Sequence, residues 1–206
     1  MTNRSKLTAI ILVGGKSSRM GEDKALIPIK GVPLLQLVQC IAQSCADKVY
    51  AVTPWEERYQ HLLSPGCHFI REVPLSFETG NESQPHGPLI GFAQGLVHVE
   101  TDWVLLLACD LPSLRVEILQ QWIDELDNVP KEAIAALAHH AKGWEPLCGF
   151  YRRSCLPELQ DFINQGGRSF QKWLEKHPVH ILPLREPSML FNCNTPEDLA
   201  WFNKAD

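Results

Sequence analysis

Leu7-Thr8-Ala9-Ile10-Ile11-Leu12-Val13 runs directly into Gly14-Gly15-Lys16-Ser17-Ser18-Arg19-Met20-Gly21-Glu22-Asp23-Lys24. The first half is almost continuously apolar. Such a run predicts a strand buried on both faces, as in a parallel sheet. The second half combines flexible glycines, free backbone N–H groups and cations at the strand's carboxyl end. That combination holds phosphates, because amide dipoles form a nest and cations neutralise the oxygens. A plain strand-to-helix turn with solvated charges would look similar but does not call for three glycines and three cations in eleven residues. A Walker A loop is excluded, since Gly21 is followed by Glu22-Asp23 rather than Lys-Ser/Thr. The dinucleotide fingerprint is excluded by glycines at 14, 15 and 21.

Outward from this stretch, apolar runs alternate with helical periodicity. Apolar residues at 34, 35, 37, 38, 41 and 42 predict a helix over 34–46 that starts near Pro33. Strands are predicted over 48–53, 68–71, 103–108, 133–138, 147–151 and 179–184. Helices are predicted over 55–63, 88–99, 114–126, 155–164, 169–176 and 196–202, the last capped by Thr195. Residues 72–87 form a polar stretch rich in Gly, Pro, Ser and Asn. The run Trp103-Val104-Leu105-Leu106-Leu107-Ala108 is the most apolar of the chain and is placed as a central strand. The alternation gives an α/β fold, a three-layer α/β/α sandwich with a mainly parallel, Rossmann-like sheet. Residues 1–206 are read as one domain. In such sheets ligands bind beyond the carboxyl ends of the strands, where the 14–24 loop and Asp110 both fall.

Composition narrows the function. The 206 residues are 45% hydrophobic and 21% charged, with a formal net charge of −5. A binder of nucleic acid leans basic, so nucleic acid is not an expected partner. The charge is uneven, with six Lys/Arg against two Asp/Glu in residues 1–30, which suits a small anion near the first loop. No apolar run approaches a membrane span, and the first residues lack a signal-peptide pattern. Seven cysteines without a C-x-x-C pair argue against a disulfide framework or zinc ribbon, and reduced thiols suit the cytoplasm. His139-His140 and Cys67-His68 are adjacent pairs, and neighbours on a strand face opposite ways, so metal ligation there is disfavoured.

Asp110 stands in Leu107-Ala108-Cys109-Asp110-Leu111-Pro112, just past the central run. A carboxylate on that rigid support suits Mg²⁺, whose remaining ligands would be substrate phosphates. As an N-cap for the following helix, Ser113 is better placed. Gly87 and Gly91 fit either close approach to a ligand or a helix start. Asn192 and Asn194 fit either ligand recognition or a closing turn. The tryptophans read mostly as packing residues, with Trp144, in an expected loop, as the candidate for stacking on a ligand.

The string Leu12-Val13-Gly14-Gly15-x3-Arg19-Met20-Gly21-x2-Lys24 resembles the signature of nucleotidyltransferases, and more closely that of molybdenum cofactor guanylyltransferases. The similarity continues in order through Gly87-Pro88-Leu89-Ile90-Gly91, Cys109-Asp110-Leu111-Pro112, Glu145-Pro146-Leu147, Gly167-Arg168-Ser169 and Asn192-Cys193-Asn194-Thr195-Pro196-Glu197. The resemblance implies a nucleotidyltransferase fold and transfer of GMP from GTP to the terminal phosphate of molybdenum-molybdopterin. It implies backbone contacts to the nucleotide from Leu12, Val13, Gly14, Gly15 and Gly21, with Lys24 on its phosphates. Arg19, Lys24 and Asp110 would be the catalytic residues, with Asp110 also holding Mg²⁺. Thr53 and Glu72 would lie at the base or sugar, where the family often has Asn and Asp. Gly87, Gly91, Arg168, Asn192 and Asn194 would lie toward the pterin. Molybdoenzyme apo-proteins or cofactor-insertion chaperones would be further partners. A cytidylyl or sugar-phosphate transferase of the same fold, and a non-catalytic GTP-binding module that hands on cofactor, are the competing readings.

Overall fold

The structure is a computed structural model that describes residues 6–14, 23–75, 86–141 and 143–204. Among these, nine strands are β1 (Thr8–Leu12), β2 (Pro28–Ile29), β3 (Val32–Pro33), β4 (Lys48–Thr53), β5 (Cys67–Arg71), β6 (Trp103–Ala108), β7 (Ala135–His140), β8 (Gly143–Arg152) and β9 (Val179–Ile181). The α-helices are α1 (Leu34–Cys45), α2 (Glu56–Tyr59), α3 (Pro88–Leu96), α4 (Val116–Glu125), α5 (Leu156–Asn164), α6 (Phe170–Leu174) and α7 (Pro196–Lys204). Seven strands form one sheet in the order β5-β4-β1-β6-β8-β7-β9, with β6 at its centre. Only β8 runs against its neighbours, so the sheet is mainly parallel and the expected α/β sandwich is what forms.

The continuous apolar runs follow from burial on both faces. Ala9, Ile11 and Val13 of the first run join Leu105 and Leu107 in a core beneath α1 and α4. Ile10, Val104 and Leu106 point the other way, into a core with α3, α5 and α6. Successive strand residues thus enter different layers, and no polar face is left over. A third, smaller cluster joins Ile27, Ile29, Leu34, Cys193 and Phe202, which ties the short β2–β3 hairpin and α7 to α1.

Register places the site. Leu12 pairs with Val52 on one side and Ala108 on the other, so β1, β4 and β6 end level. Val13 N–H donates to the Val52 carbonyl at 2.9 Å, and Cys109 N–H to the Leu12 carbonyl at 3.3 Å. The loops that carry Gly14 and Asp110 therefore leave the sheet side by side.

Several expectations are corrected. The helix expected over 55–63 is one α-turn, α2, followed by a 3-10 turn over Gln60–Leu62. The hairpin over 28–33 was not expected. Lys30 and Gly31 both have positive φ, 47° and 83°, the pattern of a two-residue turn whose twist matches its strands. Helix α4 begins at Val116 with Arg115 before it and no side-chain cap, so Ser113 does not cap it. Strand β8 starts at Gly143, which puts Trp144 in a strand rather than a loop. Gln171 holds it there, donating to the Trp144 carbonyl and accepting its N–H. No helix among the described residues is long and apolar enough to cross a membrane.

Gly149 sits where β8 crosses between β6 and β7. A Cβ there would lie 2.5 Å from Leu137 Cδ2 and 2.9 Å from the Ala136 carbonyl oxygen. Gly149→Ala is expected to destabilise the fold by about 1–3 kcal/mol, the usual cost of overpacking. Urea unfolding followed by tryptophan fluorescence measures it; an unchanged midpoint would show that this crossing is loosely packed.

Candidate active site

A cavity of about 350 Å³ opens at the carboxyl ends of β1, β4 and β6. Its walls include Leu12, Val13, Gly14, Asp23, Lys24, Glu72, Gly87, Gly91 and Asp110. Sequence reasoning had assigned all of these except Asp23 to the nucleotide or pterin. Gly15, Arg19 and Gly21 lie outside the described residues. Gly14 adopts φ of 137°, and a Cβ on it would touch Pro54 and the Trp55 ring at 3.5 Å, so a side chain is strained there.

Lys24 is the centre of the polar chemistry. Its Nζ stands 3.4 Å from Asp110 Oδ2, and both side chains are about one-fifth exposed, at 21% and 19%. The same ammonium donates to Asn194 Oδ1. Asn194 reaches it because Cys193 N–H donates to the Asp110 carbonyl at 3.0 Å, joining the segment before α7 to the loop after β6. Expected on the pterin side, Asn194 thus lies against Lys24.

Asp23 is the residue sequence reasoning passed over, although the adjacent Lys24 signalled it. Its Oδ1 accepts from Ala25 N–H at 3.2 Å and caps the 3-10 turn Lys24–Leu26. Its Oδ2 accepts from the buried Tyr59 hydroxyl at 2.6 Å and from Arg58 at 3.4 Å. Burial first, then the bond to Asp23, pushes the Tyr59 phenol up, so it stays a donor. Arg58 in turn covers the Trp55 ring at 4.4 Å. The turn that launches Lys24 is therefore pinned by α2.

Glu72 is a buried carboxylate at the opposite wall. It accepts His86 N–H at 2.7 Å, and a Cβ on Gly91 would lie 3.6 Å from its Oε2. Burial raises its pKa, opposed by the His86 bond and charge. Gly87 precedes α3 with φ of 100°, and its carbonyl accepts from Ile90 and Gly91 at 3.2 Å. Thr53 does not line the cavity: its hydroxyl accepts Trp55 N–H at 3.2 Å and its carbonyl accepts Glu72 N–H. Cys109 lines the cavity, but burial, then Asp110, pushes its thiol up to about 12, which leaves no thiolate nucleophile.

Other candidates lie apart from this cavity's walls. Arg168 is exposed and donates to the carbonyls of Ile163 and Gly167 at the end of α5. Asn192 is exposed. Trp144 packs edge-on against His139, with ring centres 4.6 Å apart. His140 pairs with Glu145 on the neighbouring strand. Five of the seven cysteines are buried, as small apolar residues would be. No cluster of three His, Cys, Asp or Glu residues suited to a metal occurs among the described residues. Among the cavity's residues Asp110 offers a hard oxygen donor, and its carboxylate faces the Lys24 ammonium, where it would suit a divalent ion such as Mg²⁺. That fits an ion whose other ligands come from phosphates and water.

The chain is similar to known proteins over most of its length. Residues 9–181 match the MobA-like NTP transferase domain. A probable molybdenum cofactor guanylyltransferase of Nostoc sp. is 66% identical over 196 residues, 95% of this chain and 90% of the relative. The molybdenum cofactor guanylyltransferase of Vibrio cholerae is 29% identical over 94% of this chain and 89% of its own. Among solved structures, molybdopterin-guanine dinucleotide biosynthesis protein A from Archaeoglobus fulgidus superposes with a TM-score of 0.75. It is 26% identical, and the match covers 96% of this chain and 97% of that one.

The buried Glu72 gives the site a pH signature. Its folded pKa is raised, so the ionised form is penalised and stability falls as pH rises from about 4.5 through the folded pKa. Glu72→Gln keeps an acceptor for His86 N–H and loses the charge. The variant is expected to melt higher than the parent at pH 7–8, with the gap closing toward pH 4. Thermal unfolding across that range checks it, and a gap independent of pH would remove the charge as its cause.

Proposed function

This chain belongs to the MobA-like NTP transferase family, within the molybdenum cofactor guanylyltransferases, and from that membership we propose how its cavity transfers GMP from GTP to molybdenum-molybdopterin with release of pyrophosphate. The terminal phosphate of molybdopterin attacks the α-phosphorus of GTP. One P–O bond forms to the acceptor oxygen, and the bond to the β-phosphate oxygen breaks. A phosphate monoester is largely ionised near neutral pH, so no protein nucleophile is required. The protein's task is alignment and charge neutralisation between two polyanions.

The observation that carries this reading is the meeting of Lys24, Asp110 and Asn194 at one wall of the cavity. The Lys24 ammonium, a compact point charge, offsets the charge of the triphosphate and of the leaving pyrophosphate. Arg19 adds a forked donor from the same loop, and the amides of 14–21 hold phosphate oxygens. Asp110 would hold Mg²⁺, which would supply Lewis-acid neutralisation of the phosphate charge. Leu12, Val13 and Gly14 lie along the nucleotide. Glu72 offers a buried acceptor suited to the adjacent N1–H and 2-amino donors of guanine. Thr53 supports the turn beneath Gly14 from below. Gly87 and Gly91 leave room on the α3 side, and Arg168 and Asn192, exposed outside the cavity, are proposed as pterin contacts. The reaction is carried by the single domain 1–206, in the cytoplasm, where its thiols remain reduced.

Removing one such electrostatic group costs on the order of a hundredfold in rate or more. Lys24→Ala and Asp110→Ala are each expected to lose that much turnover with folding intact by circular dichroism. The assay follows label from α-³²P nucleotide into the pterin product, with GTP and CTP in parallel. Near-full transfer by either variant would remove that residue from the mechanism, and preference for CTP would reassign the donor.

A further inference from the structure

The match to the NTP transferase domain ends at residue 181, yet Asn194, which holds Lys24, comes after it. What holds Asn194 is α7. Asp198 Oδ2 accepts two N–H groups, from Asn194 and from Thr195, each at 2.9 Å. In return Asp198 N–H donates to Thr195 Oγ1 at 3.2 Å. This is a reciprocal capping box with Asp in place of Glu, and it fixes the chain where it enters the helix. The helix is itself anchored: Phe202 is buried against Ile27, Ile29 and Leu34, and Asn203 Oδ1 accepts Lys30 N–H at 2.8 Å.

We propose that Asp198 is a positioning residue for the reaction, which acts through Asn194 to aim the Lys24 ammonium at the phosphates. The inference rests on the role given to Lys24 above. Two features make the linkage specific. Both N–H bonds fall on one oxygen of Asp198, so their geometry fixes a single backbone conformation at 194–195. The next residue back, Cys193, is buried and its N–H is tied to the Asp110 carbonyl, so the segment is clamped on both sides of Asn194. With the cap gone, Asn194 can turn away and Lys24 loses a contact that helps to hold it. The N–H of Asn194 foremost holds the Asp198 carboxyl below the usual carboxylate range.

Asp198 could instead act by its negative charge alone, and Asp198→Asn separates the two. An asparagine oxygen in the same place still accepts both N–H groups but carries no charge. Asp198→Ala removes the acceptor. Misplacement of a reacting group costs up to about a hundredfold in rate, so a partial loosening is expected to lower kcat about tenfold in Asp198→Ala and in Asn194→Ala. KM for GTP should stay within about twofold and Asp198→Asn close to the parent. The double variant Asp198→Ala/Asn194→Ala should be no slower than Asn194→Ala alone, because the two act in series. If the two losses multiply, or if Asp198→Asn is as slow as Asp198→Ala, the inference fails. Should Asp198→Ala not accumulate as folded protein, Asp198→Ser, which shortens the acceptor, takes its place in the cycle. Lys24→Ala run alongside keeps the two claims apart. Full turnover there removes the role of Lys24 itself, whereas a slow Lys24→Ala beside fast Asp198→Ala and Asn194→Ala overturns only the positioning.

Discussion

One ammonium group is shared by a carboxylate from the middle of the chain and an amide from its end. Lys24 comes from the first loop, Asp110 from the loop after the central strand, and Asn194 from the approach to the last helix. Each lies on a different element, so their meeting requires the sheet register, the β2–β3 hairpin and α7 to be in place together. A cation in this position has evident use in a nucleotidyltransferase. Two multiply charged phosphates must come within bonding distance, and their repulsion has to be offset before any bond can form.

The sheet makes the meeting cheap to maintain. Because β1, β4 and β6 are level at Leu12, Val52 and Ala108, the loops beyond them emerge from a rigid apolar platform. The polar atoms above it are then satisfied locally. Asp23 caps the turn of Lys24 and takes the Tyr59 hydroxyl, and Glu72 takes His86 N–H. Rigid support with satisfied polar partners is what electrostatic catalysis asks of a protein, since donors already in place need not reorganise during reaction.

Much of this was legible in the residues. The apolar runs at 8–12 and 103–108 located the two adjacent central strands, and Asp110 stood out as a carboxylate beyond one of them. The Thr195 cap is present, with its hydroxyl on Asp198 N–H. What escaped reading has physical reasons. The β2–β3 hairpin turns on Lys30-Gly31, and lysine at a positive φ carries none of the Asn-Gly signal. Strand β8 runs antiparallel, and its start at Gly143 is set by pairing with β7 and by Gln171 rather than by local apolarity. The contact between Lys24 and Asn194 spans 170 positions, and no local pattern encodes it. Asp23 looked like ordinary loop charge because its partner, Tyr59, sits on a helix of one turn.

The central claim is that the nucleotide's phosphates bind against Lys24 and Asp110 together. A crystal structure of the full chain soaked with GTP and Mn²⁺, with the metal located by its anomalous signal, addresses it most directly. The account predicts the metal peak on the Asp110 carboxylate, the Lys24 ammonium on the triphosphate, and Asn194 still against Lys24. A phosphate chain and metal bound away from both Lys24 and Asp110 would contradict it.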